Sequence, residues 1–491
     1  MRTRNDLKER HRRAALSADF AASDPHAMMC GRLNPEPMLT LSLRLISALA
    51  VLTAVLAGAQ RPPNDAISPA STSTTLVVRD VTVVDVEHAR LLRKQTVVIE
   101  GSRITALGPT ESLRVPTGAS IVEGAGRFLA PGFVDMHVRL YTEGDLVTYV
   151  TNEVTTVRNM AGDSTHLDFR ARAAAGRLVA PRIITAGPVV EASPLRHPDN
   201  HAVDDAGAAR REIEQQRAAG YDFVKVYNWM APAVYEAVVT AARQAGLPVA
   251  GHVPFEVGLA GALAARQSSI EHLRGYLVEL LPPLAAVQPT ASFRDRSVAW
   301  NNIDPARFGP LAARTAAAGV WNCPTLVFSV HEMSPAAAHA RLLSRAEVRH
   351  LSLRGLPDRS TERYLAGFTD ADYAATQRGL AAQSRLVREL DAAGAGLLVG
   401  TDSWLAGFAF ADELELLVGA GLSPARVLRM ATLDAARFLA NRNYGEASRS
   451  AVTPIWSSSM PTRSPTSQTP DGYTPSYSTD GCFAAQTSTA S

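Results

Sequence analysis

The sequence predicts an α/β chain: a TIM-like (β/α)8 barrel joined to a small β-sandwich domain that is incomplete at its C-terminal end. Three observations predict it. Beyond Gly132, eight short apolar runs alternate with Ala/Arg/Glu-rich stretches of helical character, over the length of about 300 residues that a barrel takes. Before it, residues 75–123 hold "TLVVRDVTVVDV", "KQTVVIEGSRITAL" and "ASIVEGAGRFLAPG", β-rich runs parted by turn residues, which read as a small antiparallel unit. Five of the eight later runs end in His, Lys or Asp, the residue types that gather at the C-terminal mouth of a barrel. A doubly wound open sheet explains the strand number less well, and no G-x-G-x-x-G opens a helix.

The N-terminal segments precede this fold. Residues 1–37 are charged and lack apolar periodicity, as an upstream extension outside the native protein would, with Met38 as the real start. Residues 38–59 read as a signal peptide. Arg44 leads the apolar run "LRLISALAVLTAVLAGA", which ends in Ala57-Gly58-Ala59, a small-x-small cleavage pattern. The run is short for a membrane span, so export to the periplasm or the medium is expected, with an uncleaved membrane anchor as the alternative. Residues 60–74 form a polar linker. The three cysteines, Cys30, Cys323 and Cys482, lie in the upstream segment, the barrel and the tail, so no disulfide framework is indicated. A net charge of +2 gives no reason to expect a nucleic-acid partner. Nothing in the sequence specifies an oligomer.

The small β-domain is expected over 75–132 and the barrel over 133–440. The barrel strands read in order as "FVDMHV", "VTTVRNM", "RIITAGP", "FVKVYN", "PVAGHVP", "SSIEHLRG", "VWNCPTLVF" and "GLLVGTD". Helices then close the chain, the run "LSPARVLRMA" starting with Ser423 as N-cap and Pro424 in the first helical position. The first strand ends in His137, the fourth carries Lys225, the fifth His252, the sixth His272 and the eighth Asp402. One strand histidine alone is more often a hydrogen-bonded core residue. Three imidazoles, a carboxylate and a lysine that converge on one mouth can hold a divalent ion such as zinc, provided the lysine is carbamylated, since an ammonium has no lone pair. Tyr227 follows Lys225 at strand period and is a candidate substrate-binding residue, or a packing tyrosine.

From about residue 75 to 440 the chain resembles the metal-dependent amidohydrolase superfamily, close to its imidazolonepropionase-like and prolidase-like exported members. The resemblance is carried by "APGFVDMHV", "EVTTVRNM", "YDFVKVY", "VAGHVP", "SSIEHLRGY", "LLVGTDS" and "ELELLVGAGLSPARVLRMATLDAARFL". It implies hydrolysis of an amide, cyclic amide or dipeptide bond in a small-molecule substrate by metal-activated water, with one or two ions. His137 and Asp402 would serve one metal, His252 and His272 the other, and a carbamylated Lys225 would bridge them. Asp402 would act as general base, then acid.

Three departures stand against this pattern. The family begins its barrel with His-x-His, two rings about 7 Å apart along one strand face. Here the second position is Arg139, which has no lone pair to offer and keeps its charge. An impaired first metal site is therefore expected, unless Arg139 swings aside to Glu143 or Asp145, or reaches solvent at the rim. Glu153 stands where the family has glycine, which suggests a strained backbone. After Glu446 the family's returning strands are missing, and residues 441–491 read as a disordered Ser/Thr/Pro tail. Read in a shifted frame, the codons from Ser450 to Ser467 permit "ADLVVLDADPLADI", so the tail is expected to be frameshifted and the small domain to present an open edge. Two rival functions follow: a degenerate member that binds one metal or a ligand without turnover, and an esterase or lactonase of the same fold. Specificity is expected in the loop segments 276–318 and 329–392.

Overall fold

The structure, a computed structural model, describes residues 75–195, 197–282, 291–351, 365, 367–442, 444 and 456–459. The upstream extension, the signal peptide, the linker and nearly all of the tail lie outside the described residues. Among the described residues no helix is long and apolar enough to cross a membrane.

The small sheet is built from β1 (Thr75–Asp85), β2 (Arg90–Glu100), β3 (Arg103–Pro109), β4 (Ser120–Glu123) and β5 (Phe128–Pro131). β1, β2 and β3 form the expected antiparallel meander, and Gly101 turns the β2–β3 hairpin at φ +58°. The rest is a correction. β4 and β5 run parallel to β1, so among the described residues the unit is one mixed sheet, made six-stranded by Trp456–Ser459, and not the antiparallel unit expected. The cause lies in β1, which is long and bulged between Val78 and Val83. Its first half pairs with β4 and its second half with β5, once the connection after β3 has carried the chain back across the sheet. Val78, Val81, Val83, Val97 and Leu129 form its core.

The barrel strands are β6 (Phe133–Val138), β7 (Val154–Asn159), β8 (Arg182–Thr185), β11 (Val224–Val226), β12 (Val249–Gly251), β13 (Ser269–Glu271) and β14 (Trp321–Cys323). Two short strands, β9 (Val190–Glu191) and β10 (His201–Ala202), extend the sheet beside β11. All barrel ladders are parallel. A bridge between Ala186 and Phe223 joins β8 to β11. The eighth run, "GLLVGTD", forms no ladder of its own. It closes the ring through a bridge of Leu397 to Asn322 on one side and a 2.8 Å bond from the Met136 N–H to the Val399 carbonyl on the other. Gly400 has no room for a side chain, because a Cβ there would lie 2.4 Å from Cys323 Sγ and 2.8 Å from His137 Cβ. The interior below the mouth is filled by Met136, Phe223, Ala250, Cys323 and Leu398, so the barrel is packed and not a pore. Cys323 is a free, buried thiol.

Connecting helices start and stop as their ends dictate. Asp205 caps Ala206–Ala219, and Gly220 ends that helix at φ +90°. Ser423 caps Pro424–Arg429 as expected, accepting the Arg426 N–H. Glu153 sits at φ +66°, the left-handed conformation its replacement of glycine suggested. Within the tail, where irregular chain is expected, Trp456–Ser459 forms β15, antiparallel to β5, at the edge expected to lie open.

Candidate metal centre

The short parallel strands deliver their terminal residues to one point. His137 is the penultimate residue of β6, Lys225 lies in β11, His252 follows β12, His272 follows β13, and Asp402 ends the eighth segment. His137, Lys225 and His252 are buried, and all three imidazoles are pushed well below the usual histidine range, chiefly by burial. They are therefore neutral, the form that can ligate.

Supporting hydrogen bonds fix which nitrogen carries the proton. His137 Nδ1 lies 2.8 Å from Glu271 Oε2, and a carboxylate can only accept, so the hydrogen is on Nδ1. His252 Nδ1 lies 2.8 Å from Asn228 Oδ1 and donates likewise. His272 Nδ1 lies 2.6 Å from Thr325 Oγ1, whose own hydrogen goes to the Pro324 carbonyl, so again the ring donates. Each ring is left with a bare lone pair on Nε2. His137 Nε2, His252 Nε2 and Lys225 Nζ are buried without a hydrogen-bond partner.

Asp402 Oδ2 lies 3.5 Å from His137 Nε2 and 3.4 Å from His272 Nε2. Three lone-pair atoms facing one another repel unless a cation stands between them. That donor set of two nitrogens and one carboxylate oxygen suits a divalent ion of the zinc class, so the residues fit the group. His272 stands between the other two rings, its centroid 4.6 Å from that of His137 and 5.0 Å from that of His252.

Arg139 turns to neither Glu143 nor Asp145, and its side chain remains 36% exposed at the rim. Its Nε donates to Asp402 Oδ1 at 3.2 Å, which leaves Asp402 one oxygen for the centre. Glu143 is instead held by Arg172, and Asp145 accepts the Tyr141 and Thr142 N–H groups that begin a helix. Burial opposes the guanidinium's charge, and the Asp402 carboxylate more than offsets it, so its pKa is raised. Lys225 is pulled down to about 8, by burial first, then opposed by Glu271 and lowered further by Arg139. Tyr227 stacks on the His252 ring at 4.3 Å between centroids, and its hydroxyl approaches His197 Nε2 at 3.5 Å.

Four supporting residues escaped sequence reasoning: Glu271, Arg158, Asn228 and Thr325. Glu271 holds His137 through one oxygen, while its other oxygen accepts Arg158 at 2.9 Å and the Ser269 hydroxyl. Arg158 is fully buried among Phe223, Phe438 and Tyr444, and also donates to the Met136 carbonyl. Their signal was available: a Glu and an Arg inside otherwise apolar strand runs, where a charge is retained only if paired. The backbone at the site is also unusual. His272, Thr325 and Asp402, all non-glycine, have φ of +58°, +51° and +44°.

Comparison with known proteins agrees with this architecture. Residues 128–447 match the sequence profile described as the amidohydrolase family. An adenine deaminase of Rubrobacter xylanophilus is 33% identical over 88 residues, 18% of this chain and 14% of that protein. An imidazolonepropionase of Arthrobacter sp. is 44% identical over 61 residues, 12% of this chain and 14% of the relative. These curated relatives are thus matched over about a seventh of their length. Among solved structures, a bottromycin amidohydrolase superposes with a TM-score of 0.59 at 26% identity, over 74% of this chain and 78% of that one. A Xaa-Pro dipeptidase with bound methionine gives 0.53 at 17% identity, over 74% and 88%, which is a likeness of fold.

Proposed function

The chain belongs to the amidohydrolase family, and from that premise we propose that it hydrolyses a carbon–nitrogen bond, in an amide, cyclic amide or dipeptide. The observation that carries the proposal is the meeting of bare Nε2 atoms from neutral imidazoles with Asp402 Oδ2 and a buried, unpartnered Lys225 Nζ. His137, His272 and Asp402 would hold a divalent ion, with His252 and a carbamylated Lys225 completing the set. Bound there, such an ion lowers the pKa of water and polarises a carbonyl.

This chain's own residues do the rest. The Asp402 carboxylate takes the proton of the attacking water as the water oxygen bonds to the carbonyl carbon. The carbon–nitrogen bond then breaks, and Asp402 returns that proton to the departing nitrogen. Arg139 holds Asp402 by the other oxygen and fixes its orientation. Asn228, Thr325 and Glu271 keep the three rings turned inward. Tyr227, stacked on His252, is the candidate to contact a substrate beside that ring.

The test is metal content per chain together with hydrolysis of an amide and dipeptide panel run beside matched esters. Expected are bound zinc and cleavage of amides, lost in Asp402→Asn. A panel in which only esters turn over would overturn the assignment. The Arg139–Asp402 pair favours a second reading, a member with one metal and little turnover. Substoichiometric metal with no cleavage on either panel would select it. Export is part of the proposal and rests on residues 43–59. Mature protein beginning near Gln60 supports it, and a chain retaining residues 1–37 contradicts it.

A further inference from the structure

A recess of about 160 Å³ opens beside the centre, and His272 and Thr325 form part of its lining. His272 is shared between the two spaces. Its Nε2 lies 3.4 Å from Asp402 Oδ2, while its ring lies 5.6 Å from that of Phe328, which also lines the recess. Most of the other walls are apolar and several are aromatic, with Phe255, Leu277, Phe293, Trp300 and Met333 among them. Leu277, Phe293 and Trp300 belong to 276–318 and Met333 to 329–392, the two segments where specificity is expected.

Charged side chains reach this lining at Arg274, Arg296 and Glu279. The Arg296 guanidinium lies over the Phe255 ring at 4.9 Å and donates to the Ala291 carbonyl, and Glu279 pairs with Arg314 at 3.1 Å. Those two are engaged within the protein, and apolar residues make up the greater part of the lining. Water in an apolar recess is displaced favourably by an apolar group. The volume sets the size of that group, since an apolar cavity of about 150 Å³ takes one benzene ring. Two fused rings are too large for it.

We propose that this recess seats a phenyl-sized apolar group of the substrate, so that the compound cleaved is an amide with an aromatic ring one or two carbons from the scissile bond. His272 sets that short reach, because its ring is at once a wall of the recess and a neighbour of Asp402. This rests on the hydrolytic reading above. Water adds to the acyl carbon, the carbon–nitrogen bond breaks and the amine leaves with the proton, while the ring takes no part in the chemistry.

The experiment measures the affinity of the full chain for acetamide, phenylacetamide, N-benzylacetamide and 2-naphthylacetamide by calorimetry. At least one of the two phenyl compounds is expected to bind about 10-fold or more tightly than acetamide, the gain from burying one ring. The naphthyl compound should bind more weakly than phenylacetamide. Ser329→Phe fills the recess and should abolish the phenyl preference, leaving the affinity for acetamide unchanged. Met333→Ala widens the recess and should close the gap between the naphthyl and phenyl compounds. Folding of both is checked by circular dichroism, and if Ser329→Phe does not fold, Met333→Ala decides alone. Equal affinities for acetamide and both phenyl compounds, or binding of none of the four, overturns the proposal. So does a phenyl preference undiminished in Ser329→Phe, or a naphthyl gap unchanged in Met333→Ala. Phenyl preference without cleavage of any amide defeats the hydrolytic reading and leaves the recess assignment standing. Cleavage with no phenyl preference does the reverse.

Discussion

On one flank of the barrel mouth, His252 and His272 give their Nδ1 hydrogens to neutral oxygens, those of Asn228 and Thr325. On the other flank, His137 gives its hydrogen to the Glu271 carboxylate, and Asp402 gives an oxygen to Arg139. The first flank is uncharged and all its lone pairs point inward. The second is built of ion pairs, Glu271 with Arg158 and Asp402 with Arg139. A carboxylate behind an imidazole raises its basicity as a ligand, whereas an arginine on a carboxylate withdraws charge that a metal would use. The difference is that fixed charge enters the mouth on one flank only, through Arg139 on Asp402 and Arg158 on Glu271.

The largest test of that contrast is Arg139→His. It frees Asp402 and restores a second ring on the first strand. Metal by elemental analysis should rise from about one ion or fewer per chain toward two, and the hydrolytic rate by at least roughly 100-fold, equivalent to about 2.7 kcal/mol. An unmodified chain that already carries two ions and turns over at about 1 per second would show that the arginine is tolerated.

On the neutral flank, Asn228→Ala removes the partner that fixes the His252 tautomer. Metal affinity, followed by competition with a chelating dye, should fall about 10-fold or more, the usual scale for such supports. An unchanged affinity would mean that His252 stands outside the ligand set.

Lys225 links the flanks, and its charge can be read in protein freed of metal by a chelator. Its pKa is about 8 in the fold, against an ordinary value of 10.5. Below pH 8 both states are protonated and the fold bears the burial cost in full. Between pH 8 and 10.5 the folded state sheds the proton first, so stability rises with pH. Lys225→Met should melt higher than the parent at pH 7, and its advantage should shrink as pH passes 8 toward 10. A constant advantage across that range would contradict a buried ammonium.

The smallest effect is expected far from the centre's charges. Glu153→Gly relieves a left-handed backbone that costs about 1 kcal/mol in an L-residue, part of which the freedom of glycine in the unfolded chain takes back. The melting temperature should change by about 2 °C or less, with metal content unaltered.

The centre's five named residues were legible because each stands at a strand end, where a polar residue in an apolar run is conspicuous. Their supports were not, since Glu271 meets Arg158 across 113 positions of sequence and Asp402 meets Arg139 across 263. Such pairings arise only when the barrel closes. The same holds for the small sheet. Local turns revealed the β1–β3 meander, but the parallel partners of β1 depend on a bulge and a return connection that alternation does not encode. The eighth strand was readable as sequence, yet the close packing of Gly400 on Cys323 and His137 goes with single bridges in place of a ladder.

Arg158 ties the two ends of the described barrel together. It reaches Glu271 above, and through Glu271 the ring of His137; below, its other nitrogen reaches the Tyr444 hydroxyl at 3.2 Å. Tyr444 is wedged between Phe223 and Phe438, where the last helix lets go of the barrel. A mechanical linkage thus runs from the floor of the protein to its reacting mouth, four side chains long and sealed from water. Whatever pulls on the chain beyond Tyr444 pulls on this linkage, so a change in the C-terminal segment that touches no ligand can still tilt the imidazole of His137.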